Sequence, residues 1–501
     1  MASGLDTSNV GETLLAVGAD DDIAVVDGSR NYTYAELRHA AGRILHELTT
    51  LGIRPGARVG ILGTNSFFWI AGYLAALKLG VAVPLSDRNG PADLAAQVDW
   101  VDCDAVLLDR RQQRRVGAAL GERRVVTDAV LAEEGEVAWP ATATPADADA
   151  ALMFTSGTTA RPKAVRLSHA NLLANTASIL GYLGLTRSDR MLVILPFSYC
   201  YGASLLHTHL AVGGSVVLCN TFTFPETAVD LMARHDCTGL AGVPSSFQLL
   251  LRTSSYATRP LPSLRLVQQA GGRLPPAQIL ELAAAQPQSR LFVMYGQTEA
   301  TARLSYLPPE LLADKVGSIG RGVQGVTLAV LDEAGNPVAP GEQGEIVATG
   351  PSIARGYVND PEQTAEKFPG GSLRTGDLAT VDAEGFIYIT GRRADFIKSW
   401  GFRISPQQVE EAALDFPELA AAAVVGLPDA EAGEAVVLAA VAMPGAALDA
   451  DALLAHLRSK LPKHMVPESV HVLDALPMTG SGKVARPQLR DLLESLRAQV
   501  P

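Results

Sequence analysis

Short runs of apolar residues alternate with helix-period segments through the N-terminal part of this 501-residue chain, and that alternation restricts the fold most. Arg58–Leu62 reads as a short buried strand, Ser66–Leu79 as a largely buried helix ended by Gly80, and Val81–Leu85 as the next strand. Ala105–Leu108 and Val125–Val126 add strands. Further on, Asn171–Leu183 reads as a helix and Arg190–Leu195 as a buried strand ending at Pro196. Ser215–Leu218, Gly239–Val243, Leu264–Gln268 and Leu291–Met294 are four more strand candidates. Strands separated by helices need crossover connections, so these strands are expected to lie parallel with helices on both faces. Upstream, Thr33 is placed to cap a helix carrying Leu37, Ala40, Ala41, Ile44, Leu45 and Leu48 on one face, stopped by Gly52.

Past Val326 the pattern changes. Val326–Leu331 and Gly344–Thr349 flank an Asp332–Glu333–Ala334–Gly335–Asn336 turn, which predicts antiparallel pairing. Asp382–Ala383–Glu384–Gly385 turns into a strand over Phe386–Thr390. Then come a helix from Gln407 with Ser405 as N-cap and Pro406 in its first turn, strands over Ala420–Gly426 and Glu434–Met443, a helix over Leu448–Lys460, a strand over Val470–Leu473 and a helical tail over Gln488–Gln499. One hydrophobic core rarely serves a chain of this length. The expected architecture is α/β: a large N-terminal domain, residues 1–393, of mixed, mainly parallel sheets with flanking helices, and a small α+β C-terminal domain, residues 394–501.

With 48% hydrophobic and 19% charged residues the chain has ample material for a core. A net charge of −12 counts against nonspecific nucleic-acid or anionic-membrane partners. Met1–Asp22 lacks a basic segment followed by an apolar core, and no apolar run reaches spanning length, so a cytoplasmic protein is expected. Cys103, Cys200, Cys219 and Cys237 lack metal-ligand spacing and read as reduced thiols.

Phe154-Thr155-Ser156-Gly157-Thr158-Thr159-Ala160-Arg161-Pro162-Lys163 has four hydroxyls, one glycine and two cations with no apolar periodicity. Such a loop suits a phosphate, since small residues let backbone N–H groups approach an oxyanion while hydroxyls and a cation complete the cradle. An ordinary Ser/Thr turn has the same composition. No Gly-Lys-Ser/Thr closes the stretch, which disfavours a P-loop NTPase. Phe197-Ser198-Tyr199-Cys200-Tyr201-Gly202 and Tyr295-Gly296-Gln297-Thr298-Glu299 both follow strand ends, where α/β sheets bind ligands. Ala270-Gly271-Gly272 would let a flat ring lie against backbone, or simply form a tight turn.

Thr155 to Lys163 resembles the signature loop of the adenylate-forming superfamily, which includes acyl-CoA synthetases, peptide-synthetase adenylation domains and luciferases, and the likeness recurs in order as far as Lys483. The resemblance implies ATP-dependent adenylation of a carboxylic acid with release of pyrophosphate, then transfer to a thiol of CoA or of carrier-protein phosphopantetheine, with ATP and Mg2+ as cofactors. It implies nucleotide contacts from Thr155, Ser156, Gly157, Thr158, Thr159, Lys163, Gly271, Gly272, Tyr295, Gly296, Gln297, Thr298, Asp377, Ile389, Arg392 and Lys483. Among these, Tyr295 would stack on adenine and Asp377 would take the ribose hydroxyls. Glu299 would hold the metal, while Lys483, Thr298 and Arg403 would serve catalysis. Tyr199, Cys200, Tyr201, Gly202, Met294, Ala302 and Arg303 would border the acyl pocket, with Arg303 contacting a polar or anionic substrate group, sitting in an internal salt bridge or lying exposed. Ala394 and Asp395 would form the hinge of a mobile C-terminal lid.

The chain departs from the family pattern at several of these points. Alanines stand at 160 and 164, where relatives usually carry glycine, and Ala394 replaces the usual hinge Asp or Lys. Tyr199 stands where many relatives have His. Cys200 replaces the Asp of amino-acid-activating members, and a thiol cannot pair with an ammonium group. The resemblance also leaves room for an amine acceptor, for activation of a small oxyanion such as nitrite, and for a noncatalytic acyl or nucleotide sensor. A freestanding enzyme is expected, because only a short helical tail follows Lys483.

Overall fold

A computed structural model describes residues 9–133, 135, 137, 139, 144–155, 163–393, 395–429, 431–443, 445–479 and 482–497. Among these, the strands form four sheets. In the first, the order is Arg124–Thr127, Ala105–Leu108, Arg58–Leu62, Val81–Leu85, Asp149–Thr155 and Lys163–Ser168. All neighbours run parallel except the last two strands, which make an antiparallel hairpin. A second, nine-stranded sheet has a parallel centre of Ser215–Leu218, Arg190–Val193, Gly239–Gly242, Leu266–Gln269 and Arg290–Tyr295. The third is antiparallel, in the order Thr327–Leu331, Gln343–Thr349, Leu373–Val381, Ile387–Arg392.

The helix Phe67–Leu79 shows why the large sheets pack as they do. All thirteen of its residues are buried, so it has no solvent face. A helix apolar all round must lie inside, and this one contributes Trp69, Ile70, Tyr73 and Leu74 to a core shared with both sheets. Full burial of each large side chain stabilises by about 1.5–3 kcal/mol. Helix starts follow local chemistry. Thr33 and Glu36 form a reciprocal capping box ahead of Tyr34–Thr50, and Ser168 and Asn171 do the same for His169–Leu183.

The C-terminal residues build a separate small sheet of Phe402–Ile404, Ile397–Ser399, Gly433–Ala442, Leu419–Asp429 and Ser469–Val472, with its own apolar clusters around Val409, Leu453 and Leu457 and around Leu489 and Leu493. The mixed α/β architecture expected from the sequence is therefore what the chain adopts.

Several local expectations need correction. The helix expected over Asn171–Leu183 begins at His169, the strand expected over Leu264–Gln268 spans Leu266–Gln269, and the terminal helix is Arg486–Arg497. Ser405 sits at the N-cap of Pro406–Leu414, but its hydroxyl donates to the Thr390 carbonyl (3.1 Å) instead of capping. Among the helices that escaped the periodicity reading are Pro91–Trp100, Pro225–Arg234, Pro244–Thr253 and Pro276–Ala285. Each opens on a proline in its first turn, a start signal that was available in the sequence.

Candidate active site

Thr155 and Lys163 face each other at the end of the antiparallel hairpin of the first sheet. Ser156, Gly157, Thr158 and Thr159, with Ala160, lie outside the described residues, as does Ala394. Lys163 Nζ donates to Gln363 Oε1 and stands 5.3 Å from the Tyr357 ring centroid. The Tyr357 hydroxyl in turn donates to Glu299 Oε1 (2.9 Å). Glu299 is thus tied to the base of the loop through one tyrosine, and is not a freely solvated acid. Burial and the nearby Glu299 raise the Tyr357 pKa, which keeps it a donor. Gly356, at φ +121°, makes this approach feasible, because a Cβ there would meet Thr364 Cγ2 at 2.3 Å.

Glu299 lies on the short 3-10 turn Thr298–Ala300 that follows the strand Arg290–Tyr295. The turn folds back so closely that a Cβ on Gly296 would stand 1.8 Å from the Ala302 carbonyl oxygen. That contact accounts for the glycine in the motif. At the strand end the Tyr295 hydroxyl donates to Asp377 Oδ2 (2.5 Å), and Arg392 Nε donates to Asp377 Oδ1 (2.6 Å). Asp377 is only 3% exposed. Each carboxylate oxygen keeps a further lone pair, enough for two hydroxyl donors. Burial, then Asp377, drive the Tyr295 pKa well up, while Asp377 raises that of Arg392. Ile389, half-buried on the adjoining strand, packs against the cluster containing Tyr295. Gln297 has a buried Nε2 with no partner among the described residues.

The opposite wall is the Phe197–Gly202 segment. Asn65 clamps its start, accepting from the Phe197 N–H and donating to the Leu195 carbonyl. Gly202 is required because a Cβ would stand 2.2 Å from the Pro196 carbonyl oxygen. The Thr298 hydroxyl donates to Cys200 Sγ at 3.3 Å, and burial raises the pKa of that thiol. Tyr199 reaches the Gly271 turn: at φ +84°, a Cβ on Gly271 would meet its hydroxyl at 2.9 Å and Val243 Cγ1 at 2.8 Å. Gly272 lies next to Pro244. The Tyr201 hydroxyl donates to the Gln268 carbonyl (2.8 Å), and its ring lies 4.0 Å beneath the Arg303 guanidinium. Met294 Sδ accepts from Arg303 Nε (3.3 Å) and from the Tyr182 hydroxyl (3.1 Å).

Lys483 joins these residues from the segment between the strand Ser469–Val472 and the helix Arg486–Arg497. A lysine on a Gly-rich loop would ordinarily be a solvated charge, but here Gly482 and Lys483 are only partly exposed. Gly482 packs on Val243, its carbonyl accepts from the Ser245 hydroxyl (2.9 Å), and Lys483 Nζ lies 5.8 Å from the Tyr199 ring centroid. Burial, then the neighbouring Arg392, lower the Lys483 pKa, while Cys200, Asp377 and Glu299 oppose that shift. An ion pair between Arg273 and Glu411 (2.7 Å) further ties the small unit to the large one. Asp395 accompanies this junction, its N–H donating to the Arg392 carbonyl. Arg403 is solvent-exposed on the hairpin Ile397–Ser399/Phe402–Ile404, and among the described residues it makes no hydrogen bond or ion pair with the cleft.

One cleft therefore gathers Lys163, Glu299, Asp377, Arg392, Thr298, Cys200 and Lys483 from chain segments far apart in sequence. Sequence reasoning missed Asn65, Gln363, Lys367 and Gln268 around it. Lys367 donates to the Thr375 carbonyl, with its pKa lowered by burial against the pull of Glu299 and Asp377. None of the four lies in a distinctive motif, so only their contacts reveal them.

Residues 15–358 match the family model described as AMP-binding enzyme, and residues 408–483 match its C-terminal domain. The chain belongs to the AMP-binding enzyme family. Feruloyl-CoA synthase from Amycolatopsis sp. is 34% identical over 472 residues, which cover 93% of this chain and 95% of that protein. ATP-bound MatB from Rhodopseudomonas palustris superposes with a TM-score of 0.88 at 28% identity, covering 98% and 99% of the two chains. O-succinylbenzoate coenzyme A synthetase (MenE) from Bacillus subtilis, solved with ATP and magnesium ion, superposes with a TM-score of 0.86 at 29% identity, covering 96% and 99%. As a member of this AMP-binding family the protein is an AMP-forming acid–thiol ligase using ATP and Mg2+. No helix among the described residues is long and apolar enough to cross a membrane.

Proposed function

We propose that this cleft is where a carboxylic acid is adenylated and passed to the thiol of CoA, with the C-terminal unit, residues 394–501, acting as a lid that carries Lys483. The observation that supports this best is the convergence of Lys483 on the residues that would hold the nucleotide. Its charge senses Arg392, Cys200, Asp377 and Glu299 together. In the adenylation step a carboxylate oxygen attacks the α-phosphorus. The new acyl O–P bond forms as the bond from the α-phosphorus to the bridging oxygen breaks, and pyrophosphate leaves. Lys483 would stabilise negative charge gathering between the nucleophile and the α-phosphate, and Thr298 would donate to a phosphate oxygen. Asp377 would take the ribose hydroxyls through its free lone pairs, with Tyr295 and Arg392 fixing its orientation.

Among the described residues no cluster of three or more His, Cys, Asp or Glu side chains could hold a metal alone. Glu299 fits Mg2+ of the kind held by one carboxylate plus substrate phosphates, since Oε1 is positioned by Tyr357 and Oε2 has no partner among the described residues. When bound, the ion would neutralise the departing pyrophosphate.

In the second step the thiolate of CoA attacks the acyl carbon and AMP leaves, the thiol proton going to solvent. A carrier-protein phosphopantetheine presents the same thiol. We assign Ala394 and Asp395 to the hinge, and Arg403 to a face that meets the site when the lid turns. Four buried free thiols suit a reducing compartment, and we place the protein in the cytoplasm.

ATP–pyrophosphate exchange across a panel of acids, followed by product analysis with CoA and with a holo-carrier protein, tests the reading. Acid-dependent exchange and an acyl-CoA product are expected. Exchange with no acid, in protein that binds MgATP, would refute it.

A further inference from the structure

We infer that the acid activated in this cleft carries a second anionic group, a distal carboxylate being the simplest, held by Arg303 with help from Gln268. This rests on the ligase reading above and specifies the substrate class of the same site.

Arg303 is 1% exposed, yet its neighbours are neutral. Nε donates to the Met294 sulfur, a weak acceptor, the cation lies over the Tyr201 ring, and the Tyr182 hydroxyl is close enough for Arg303 to influence its pKa. Nη2 is buried with no partner, and no carboxylate pairs with Arg303 among the described residues. A guanidinium cannot shed its charge, so burying it without an anion is costly unless something else completes the site.

Gln268 has the same defect. It too is 1% exposed, and neither its Nε2 nor its Oε1 has a partner. Gln268 pairs in parallel register with Phe292, one strand away, so its side chain leaves the sheet on the face that carries Phe292 and Met294. Tyr201 links the two residues, since its hydroxyl donates to the Gln268 carbonyl while its ring supports Arg303. Two unsatisfied buried donors linked through one tyrosine form a receptor for an oxyanion.

The location matches a bifunctional acid. Cys200 lies within the electrostatic reach of both Lys483 and Arg303. A substrate whose reacting carboxylate meets Lys483 would pass Cys200 and Tyr199 and present its far end to Arg303. The same positive charge disfavours an ammonium group on the substrate, in keeping with a thiol at 200.

Pyrophosphate exchange with matched acids tests this: adipate against hexanoate, isophthalate against 3-methylbenzoate, and 4-carboxycinnamate against 4-methylcinnamate. The dicarboxylate should win at least one pair by about 100-fold in kcat/KM, because a site with buried donors rejects an analogue that leaves them unpaired. Arg303→Met should abolish or invert that preference, mainly through KM for the acid, with KM for ATP and the melting temperature of the MgATP complex little changed. Arg303→Lys should restore part of it. Equal or faster exchange with the neutral member of every pair would overturn the inference while leaving the ligase reading standing. An unchanged preference in Arg303→Met would do the same. No exchange with any of the six acids, in protein that exchanges with another acid of the wider panel, would overturn the inference alone, and no exchange with any acid of that panel, despite MgATP binding, would overturn both.

Discussion

The Tyr295 hydroxyl donates to Asp377 Oδ2 at 2.5 Å, joining the end of the parallel sheet to the antiparallel sheet in the middle of the nucleotide side of the cleft. Arg392 holds the other oxygen at 2.6 Å, so the carboxylate has a single orientation. Removing one donor leaves a buried charge under-satisfied, at about 1–3 kcal/mol. Tyr295→Phe should therefore raise KM for ATP by about tenfold and leave KM for the acid nearly unchanged. Steady-state exchange kinetics with each substrate varied in turn would check this, and equal effects on both would count against it.

Lys483→Ala should lower the adenylation rate by about 100-fold or more, as loss of a transition-state charge does. Its position adds a structural effect, because the half-buried Lys483 follows Gly482, which docks on Val243 and Ser245. Transfer from preformed acyl-AMP to CoA should survive, and single-turnover assays of the two half-reactions separate them.

A pH profile gives an independent view of the same lysine. Its folded pKa is below the ordinary 10.5, burial being the main cause. Between the folded and unfolded values the unfolded chain binds more protons, so stability contributed by this site rises with pH across that window. Activity should move the other way, falling as the ammonium deprotonates. The alkaline limb of adenylation should thus lie below pH 10.5 and be missing from the residual activity of Lys483→Ala.

Glu299→Gln keeps the shape that receives the Tyr357 hydroxyl while removing the charge. Exchange should fall by about 100-fold, in the range seen when one charge-stabilising group is lost, and the Mg2+ concentration giving half-maximal activity should rise. Melting should shift little, since the tyrosine can still donate to the amide oxygen. An unaltered Mg2+ dependence would remove Glu299 from the metal.

Gly271→Ala addresses the acyl wall. The backbone is left-handed at φ +84°, and the new methyl would meet the Tyr199 hydroxyl and Val243. Strain of about 1–3 kcal/mol is expected, with a lower melting temperature and a rise in KM for larger acids that exceeds the rise for small ones.

The alternation of strand and helix, the capping at Thr33, and the ordered polar motifs were all legible in the sequence. Local propensity and side-chain period act over a few residues, and motif order survives in one dimension. What tertiary structure alone decided is which charges meet. The sequence could not say whether Arg303 was paired, because burial without a carboxylate depends on residues as distant as Met294, Tyr201 and Tyr182 folding around it. Nor could it place Lys483: a Gly-rich loop reads as exposed until Val243 and Ser245, more than two hundred residues earlier, are seen to cover it. Desolvation and Coulomb energy depend on distance through space, and only the folded chain sets those distances.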